Sequence, residues 1–282
     1  MSRFASPLRY PGGKAKLLGF VQELLRANRL LGSHYVEPYA GGAGLALSLL
    51  FLEYADTVHL NDIDKSVFFF WKAVLETPDG LCRKIRDTKV SIEQWNRQRS
   101  IHAHPENHSD LDVGFAAFFL NRTNRSGIIK GGGMIGGSSQ TGKWKLDARF
   151  NKPELIRRIK QISTYSSRIT LHNLDAERFL QKKVSKLPKN TFVYLDPPYL
   201  EKGPRLYEKH YKFQDHERVA QLVQDSIAHQ WIVSYDDHSQ IRSLYRHRRW
   251  RTYSVGYSAA RKYQGSEIMF FSDALRIPFT AR

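Results

Sequence analysis

Apolar residues recur along the first eighty positions with two alternating periods. Leu17, Leu18, Val21, Leu24 and Leu25 fall at helical spacing and predict a helix over 14–28. A short strand, His34 to Glu37, runs into the glycine turn Pro38-Tyr-Ala-Gly-Gly-Ala-Gly44. Leu45 to Leu52 reads as a helix. Thr57 to Leu60 reads as a strand closed by Asn61-Asp-Ile-Asp64, and a helix follows over 65–75. Such alternation of strand and helix predicts an α/β fold built on a doubly wound parallel sheet. It stops after residue 75. Positions 100–150 carry a His-rich stretch, an apolar helix from Val113 to Leu120 and a glycine cluster around 131–137. The pattern predicts a main domain of residues 1–75 and 151–282, with an inserted, mainly helical subdomain over 76–150. Beyond it come a helix at 153–163, a strand at 168–172, a helix at 175–183 and the apolar run Thr191 to Leu195. Gln230 to Ser234 reads as a further strand, with a helix around 238–247. Strands near 251–257 and 266–272 are expected to close the sheet as an antiparallel pair.

The run Thr191 to Leu195 ends in Asp196-Pro197-Pro198-Tyr199. Two prolines fix φ and remove two N–H donors, so the backbone there is stiff and its carbonyls have few local partners. The product is a rigid acceptor cluster, one carboxylate and backbone C=O, beside a flat ring. That shape suits a planar heterocycle carrying an NH2 group: the acceptors take the amino hydrogens while the ring stacks.

Charge narrows the partner. The chain has 44 Lys and Arg against 27 Asp and Glu, a formal net charge of +17, which implies a polyanionic partner or an anionic surface. No run of 18 apolar residues occurs, so no membrane span is expected. The first residues lack the apolar core of a signal peptide, and a cytoplasmic location is expected. Cys82 is the sole cysteine, which excludes a disulfide framework and a cysteine-built metal site.

The glycine turn at 41–44 lies beyond the first strand, where open α/β sheets bind ligands. It is not G-x-G-x-x-G. Nor is Gly12-Gly13-Lys14 a P-loop, because Ala15 stands where Ser or Thr would hold magnesium. Asp62 ends the second strand about 20 residues after that turn, where an acidic residue commonly accepts from ribose hydroxyls. Asp64 is the alternative, with a helix cap as its other role. Asp175 is open between contacting an adenine amino group and capping a helix.

A glycine turn, a ribose carboxylate and a later Asp-Pro-Pro-Tyr, in that order, resemble the amino-group DNA methyltransferases that use S-adenosylmethionine. The chain is most similar to the Dam-like (D12 class) adenine-N6 enzymes with α motif order. The resemblance rests on Leu8-Arg-Tyr-Pro-Gly-Gly-Lys14, Glu37-Pro-Tyr-Ala-Gly-Gly-Ala-Gly44, Asn61-Asp-Ile-Asp64, the hairpin region Asn121-Arg-Thr-Asn-Arg-Ser-Gly127 and Asp196-Pro-Pro-Tyr199. It implies a Rossmann-like methyltransferase sheet, S-adenosylmethionine as cofactor and no metal. Tyr10, Lys14, Glu37, Gly41, Gly42, Gly44, Asp62, Asp175 and Asp196 are then cofactor-site candidates. Asp196, Pro197 and Tyr199 are the catalytic candidates, acting on a flipped-out adenine. Methyl transfer is direct, so Cys82 is not expected to be a nucleophile.

The same resemblance puts target recognition in the insert. From Asn121 to Lys160 ten basic residues face only Asp147 and Glu154, a strip suited to phosphates. Arg122, Asn124, Arg125, Ser126, Lys130 and Lys143 are the DNA-contact candidates. The chain departs from GATC-recognising members of the family: Ser126-Gly127-Ile128 with Lys130 stand where those carry Asn-Gly-Leu and Arg, so their specificity does not transfer. Double-stranded DNA is the expected partner, in a bacterial or phage setting, with a cognate restriction endonuclease open and a monomer expected in solution. Cytosine-N4 or RNA adenine-N6 methylation, and a non-catalytic DNA-binding relative, are the competing readings.

Overall fold

The computed structural model describes residues 5–9, 14–200, 211–258 and 262–278. Five strands are parallel: β1 (Ser33–Glu37), β2 (Ala55–Asn61), β3 (Ile169–His172), β4 (Thr191–Leu195) and β5 (Gln230–Asp236). Two more, β6 (Arg249–Ser258) and β7 (Lys262–Phe271), pair antiparallel, and β7 runs antiparallel to β5. Among the described residues the sheet has seven strands in the order β3-β2-β1-β4-β5-β7-β6. The order reverses between β1 and β4, the position at which open α/β sheets bind ligands beyond the carboxyl ends of their strands.

Strand periodicity builds two apolar layers. Tyr35, Phe192 and Tyr194 point to one face of the sheet; Val36, Val193 and Leu195 point to the other. Both faces are covered, which is why β4 is a short, wholly buried apolar run rather than a polar–apolar alternation. On the first face lie α1 (Leu18–Ala27), α2 (Gly44–Phe51), α3 (Lys65–Glu76) and α7 (Lys152–Ser163). The second carries α8 (Ala176–Lys182), α9 (Phe213–Asp225) and α10 (Ser239–Leu244).

Between α3 and α7 the chain forms α4 (Pro78–Asp87), α5 (Ile92–Ala103) and α6 (Asp110–Thr123). Helix α6 is buried almost all round, which explains its continuous apolar sequence. Phe118 on α6 stacks on Phe70 of α3, with ring centroids 5.6 Å apart. The helices between 76 and 123 therefore join the same apolar cluster as the first face of the sheet. The expected antiparallel closing pair is present as β6 and β7. Helices α4 and α5 lie in the insert expected to be mainly helical but were not placed individually, and α9 has no counterpart in the sequence reading. Helix α5 buries only Trp95, Gln98 and Ile101, and its polar residues dilute the period; α4 (Leu81, Cys82, Ile85) and α9 (His216, Val219, Ala220, Val223) bury stripes at clear helical spacing. The Asn121–Gly127 segment is not an extended hairpin: α6 runs through Thr123, and a single antiparallel bridge joins Asn124 to Met134.

Candidate active site

Carboxylates gather at the carboxyl edge of the parallel strands. Glu37 ends β1, Asp62 follows β2 and Asp196 follows β4. The glycine turn is strapped among them. Gly41 and Ala43 both take left-handed backbone, each with φ of 47°. Gly41 N–H donates to Asp62 Oδ2 at 2.8 Å, and Trp71 Nε1 donates to the Gly41 carbonyl at 2.9 Å. Glu37 Oε1 accepts from Ala46 N at 3.1 Å and from the Tyr35 hydroxyl at 3.2 Å, so this carboxylate caps α2, whose N-cap Ala43 has no side-chain cap. Gly41 and Gly42 are buried; a Cβ at Gly44 would meet nothing within 4 Å, so open space adjoins the start of α2.

Burial dominates the electrostatics of this pocket. It pushes the Glu37 carboxyl up to about 8, against the pull of its two hydrogen bonds and of Lys14. Asp62 is pushed up to about 7 by burial and by the Asp64 carboxylate beside it. Asp62 Oδ1 also accepts from Asp64 N at 3.0 Å, while the Asp64 carboxylate caps α3 by accepting from Ser66 N at 2.8 Å. Asp62 is therefore the one of the two with its carboxylate at the glycine turn. Asp175 Oδ1 accepts from Glu177 N at 3.0 Å and caps α8.

Asp196 is the centre of a second cluster. Its Oδ2 accepts from Lys14 Nζ at 2.9 Å and its Oδ1 from Ser234 Oγ at 3.0 Å. Ser234 in turn shares a 2.8 Å hydrogen bond with the Tyr194 hydroxyl. Lys14 Nζ also donates to the Tyr199 hydroxyl at 2.7 Å, and that hydroxyl donates to Glu267 Oε1 at 2.5 Å. The Tyr253 hydroxyl donates to Glu267 Oε2. Pro197 and Tyr199 are buried, whereas a quarter of the Asp196 side chain stays open. Burial pushes the Asp196 carboxyl up and Lys14 opposes it; burial beside two carboxylates pushes the Tyr199 phenol far up, so it stays a donor. Tyr10 lies outside the described residues. Lys14, expected at the cofactor, bonds the Asp-Pro-Pro-Tyr segment.

The basic strip divides into a buried half and an exposed half. Asn124 is buried, accepts from Trp95 Nε1 at 2.7 Å and donates to the Ile128 carbonyl at 2.7 Å. Its amide is used inside the fold and not on a surface that DNA could meet, which corrects its place among the expected DNA contacts. Arg122 is half-buried and donates to the Arg149 and Pro7 carbonyls. Burial, with Arg9, Arg158 and Arg149 close by, holds its guanidinium down at about 9. Arg125, Lys130 and Lys143 are exposed and Ser126 is half-buried, at a φ of 56°.

Ser234, Tyr253 and Glu267 escaped the sequence reading. Glu267 carries one signal that could have found it, a carboxylate at the head of the apolar run Ile268 to Phe271. Among the described residues no group of three or more His, Cys, Asp or Glu is placed to hold a metal ion, and no helix is long and apolar enough to cross a membrane.

The model of a family described as D12 class N6 adenine-specific DNA methyltransferase matches residues 10–258. Over 207 residues, 68% of this chain and 68% of the relative, the chain is 25% identical to the Type II methyltransferase M.MjaIII of Methanocaldococcus jannaschii. Among solved structures it is similar to PH1948 of Pyrococcus horikoshii, with 10% identity, a TM-score of 0.44 and coverage of 94% of this chain and 88% of that one. It is also similar to the rRNA methyltransferase aviRa of Streptomyces viridochromogenes, with 12% identity, a TM-score of 0.40 and coverage of 93% and 86%.

Proposed function

Because this chain belongs to the D12 class of N6 adenine-specific DNA methyltransferases, with S-adenosylmethionine as methyl donor, we propose roles for its own residues in that reaction. The pocket fits the donor by charge. Two buried carboxyls, Glu37 and Asp62, are held above their ordinary range by burial. A cationic, hydroxyl-bearing ligand relieves that cost by favouring their ionised forms. Glu37 and the turn at Gly41, Gly42 and Gly44 would hold the methionine end, and Asp62 the ribose hydroxyls. Tyr10, Lys14 and Asp175 complete the candidate set.

When bound, S-adenosylmethionine supplies a methyl group on a positively charged sulfur, already activated for displacement. Extruding the adenine from the duplex stack costs a few kcal/mol. Tyr199 offers the flipped base a ring face whose orientation is set by its hydroxyl bonds to Lys14 and Glu267. Asp196 and the Pro197 carbonyl accept the N6 hydrogens, which turns the nitrogen lone pair toward the methyl group. The gain comes from positioning and from acceptors that need no reorganisation.

DNA binding falls to residues 76–150, which serve as the target-recognition subdomain, with Arg125, Ser126, Lys130 and Lys143 facing the duplex. Arg9, Arg149 and Arg158 lie close enough to Arg122 to add to the effect of burial in depressing its guanidinium, and this grouping of four cations suits a phosphate. The Type II relative supports a cognate restriction endonuclease as partner, and a cytoplasmic monomer is the working form of the enzyme.

The observation that carries this reading is the bonded cluster of Asp196, Tyr199 and Lys14 at the switch point of the sheet. Its test is single-molecule sequencing of plasmid DNA from a methylation-free host. The wild-type chain is expected to leave N6-methyladenine within one short motif. Asp196→Ala is expected to fold and to lower transfer at least about 1000-fold. Near-wild-type modification by Asp196→Ala would overturn the assignment.

A further inference from the structure

The catalytic carboxylate is already engaged before any base arrives. Ser234 Oγ donates to Asp196 Oδ1 and Lys14 Nζ to Oδ2, at 3.0 and 2.9 Å. Ser234 is neutral and its bond leaves Oδ1 electron-rich. Lys14 is a different matter. Its ammonium takes the strongest acceptor direction of Oδ2 and repels the positive charge that grows on N6 as the amine is alkylated. A second carboxylate stands beside the same ammonium. Glu267 is wholly buried, and its Oε2 lies 3.6 Å from Lys14 Nζ.

The topology explains how it gets there. Strand β7 enters antiparallel to β5, so its beginning lies at the carboxyl edge of the parallel strands, with Glu267 in register opposite Asp236 of β5 and Tyr253 of β6. Tyr199 and Tyr253 donate to its two oxygens and hold it facing Lys14.

Resting on the reading of Asp196 as the acceptor for the N6 amine, we propose that Glu267 is a positioning residue that receives Lys14. At rest Lys14 pairs closely with Asp196 and more loosely with Glu267, and keeps a buried carboxylate from being left alone. As the target amine docks on Asp196, the balance of this shared pairing moves to Glu267 Oε2. The two separations, 2.9 and 3.6 Å, make this a displacement of under one side-chain rotamer. The Tyr199 hydroxyl, bonded to both Lys14 and Glu267, stays in place throughout and keeps its ring set for stacking. Asp196 is thus neutralised in the resting enzyme and released only when the base is present.

The test is a double-variant cycle read by single-turnover methylation of duplex DNA at saturating cofactor, with cofactor affinity followed separately by calorimetry. Glu267→Gln keeps the shape but not the charge, so Lys14 remains on Asp196. The rate is expected to fall about 100-fold while KM for DNA changes less than about twofold. Adding Lys14→Met removes the competitor, and the double variant is expected to regain at least about tenfold over Glu267→Gln alone. A merely structural Glu267 predicts that the second lesion adds to the first. A double variant no faster than Glu267→Gln overturns the proposal, as does a fully active Glu267→Gln. Should Glu267→Gln fail to fold, Glu267→Asp draws the charge back by one methylene and is expected to show the same loss and the same rescue. Asp196→Asn in the same assay separates the two levels of inference. If it stays active, the amine-acceptor reading fails and the handover with it. If it is inert beside a fully active Glu267→Gln, only the handover fails.

Discussion

Single residues at this edge are governed by burial rather than by sequence neighbours. Among the described residues Glu37 has no cation in hydrogen-bond contact, only the Tyr35 hydroxyl and the Ala46 N–H. Its carboxyl moves from an ordinary 4.5 up to about 8, and Asp62 from 3.8 up to about 7. The sign follows from linkage: between those values the folded protein holds more protons than the unfolded chain, so stability falls as pH rises through the window. His59 and His216, both held down at about 4 by burial, push the other way, but only below their ordinary 6.5. Above pH 6.5 these histidines no longer offset the carboxyls. The ligand-free protein is expected to lose melting temperature from there to about pH 8.5, and Glu37→Gln to flatten that decline. A Tm that climbs across this range, measured by scanning calorimetry, would contradict the account.

Among the secondary-structure elements, α6 does the most to place the site. Its last turn carries Asn121, whose Oδ1 accepts from Arg9 N at 2.8 Å and whose Nδ2 donates to the Arg9 and Gly127 carbonyls, each at 2.8 Å. Gly127, at a φ of 77°, lets the backbones meet: a Cβ there would sit 2.2 Å from the Arg9 carbonyl oxygen. The Asn121–Gly127 motif is therefore mostly a clamp on the segment around Arg9, with Arg125 its one exposed residue. The helix is set against α3 just as closely. A Cβ at Gly114 would fall 2.5 Å from the Phe69 carbonyl oxygen, a backbone atom that cannot move aside alone. Gly114→Ala is expected to cost about 1–3 kcal/mol in urea unfolding by overpacking. An unchanged midpoint would mean that α3 and α6 part without loss.

For the molecule as a whole, charge and strand order act together. A net charge of +17 draws the enzyme to any DNA, while the reversal of strand order between β1 and β4 marks the edge at which open α/β sheets bind their ligands. Cations set against phosphates carry a salt signature. Replacing Arg125, Lys130 or Lys143 by Ala is expected to weaken binding to all duplexes. Each replacement should also lower the slope of log Kd against log salt by about 1 for every phosphate it leaves without a protein cation. Fluorescence anisotropy across a salt series measures it, and an unchanged slope for all three would remove these residues from the interface.

Much of this was legible in the chain. Short segments rich in β-branched and aromatic residues marked all five parallel strands; β4, buried along its whole length, is a continuous run, while the edge strand β3 is mixed and partly exposed. Asp196-Pro197-Pro198-Tyr199, Glu37 with its glycine turn, and Asp62 were visible because each lies at the end of such a strand, where topology alone places ligands. Helix α5 was not legible, since three buried residues among many polar ones leave no clear period; α4 and α9 carry short buried stripes at helical spacing that the reading did not place. Asn124 read as a DNA contact because nothing local distinguishes an amide that faces a groove from one that bonds Trp95 in the interior. Lys14 could be linked to the motif but not to its partners: it lies 182 positions from Asp196 and still further from Glu267. Only the sheet, by bringing β7 in antiparallel beside β5, puts a second carboxylate against that ammonium. Sequence determines which groups can ionise, stack and donate. Tertiary structure decides which of them share a hydrogen bond, because that depends on long-range strand order, and no local pattern encodes it.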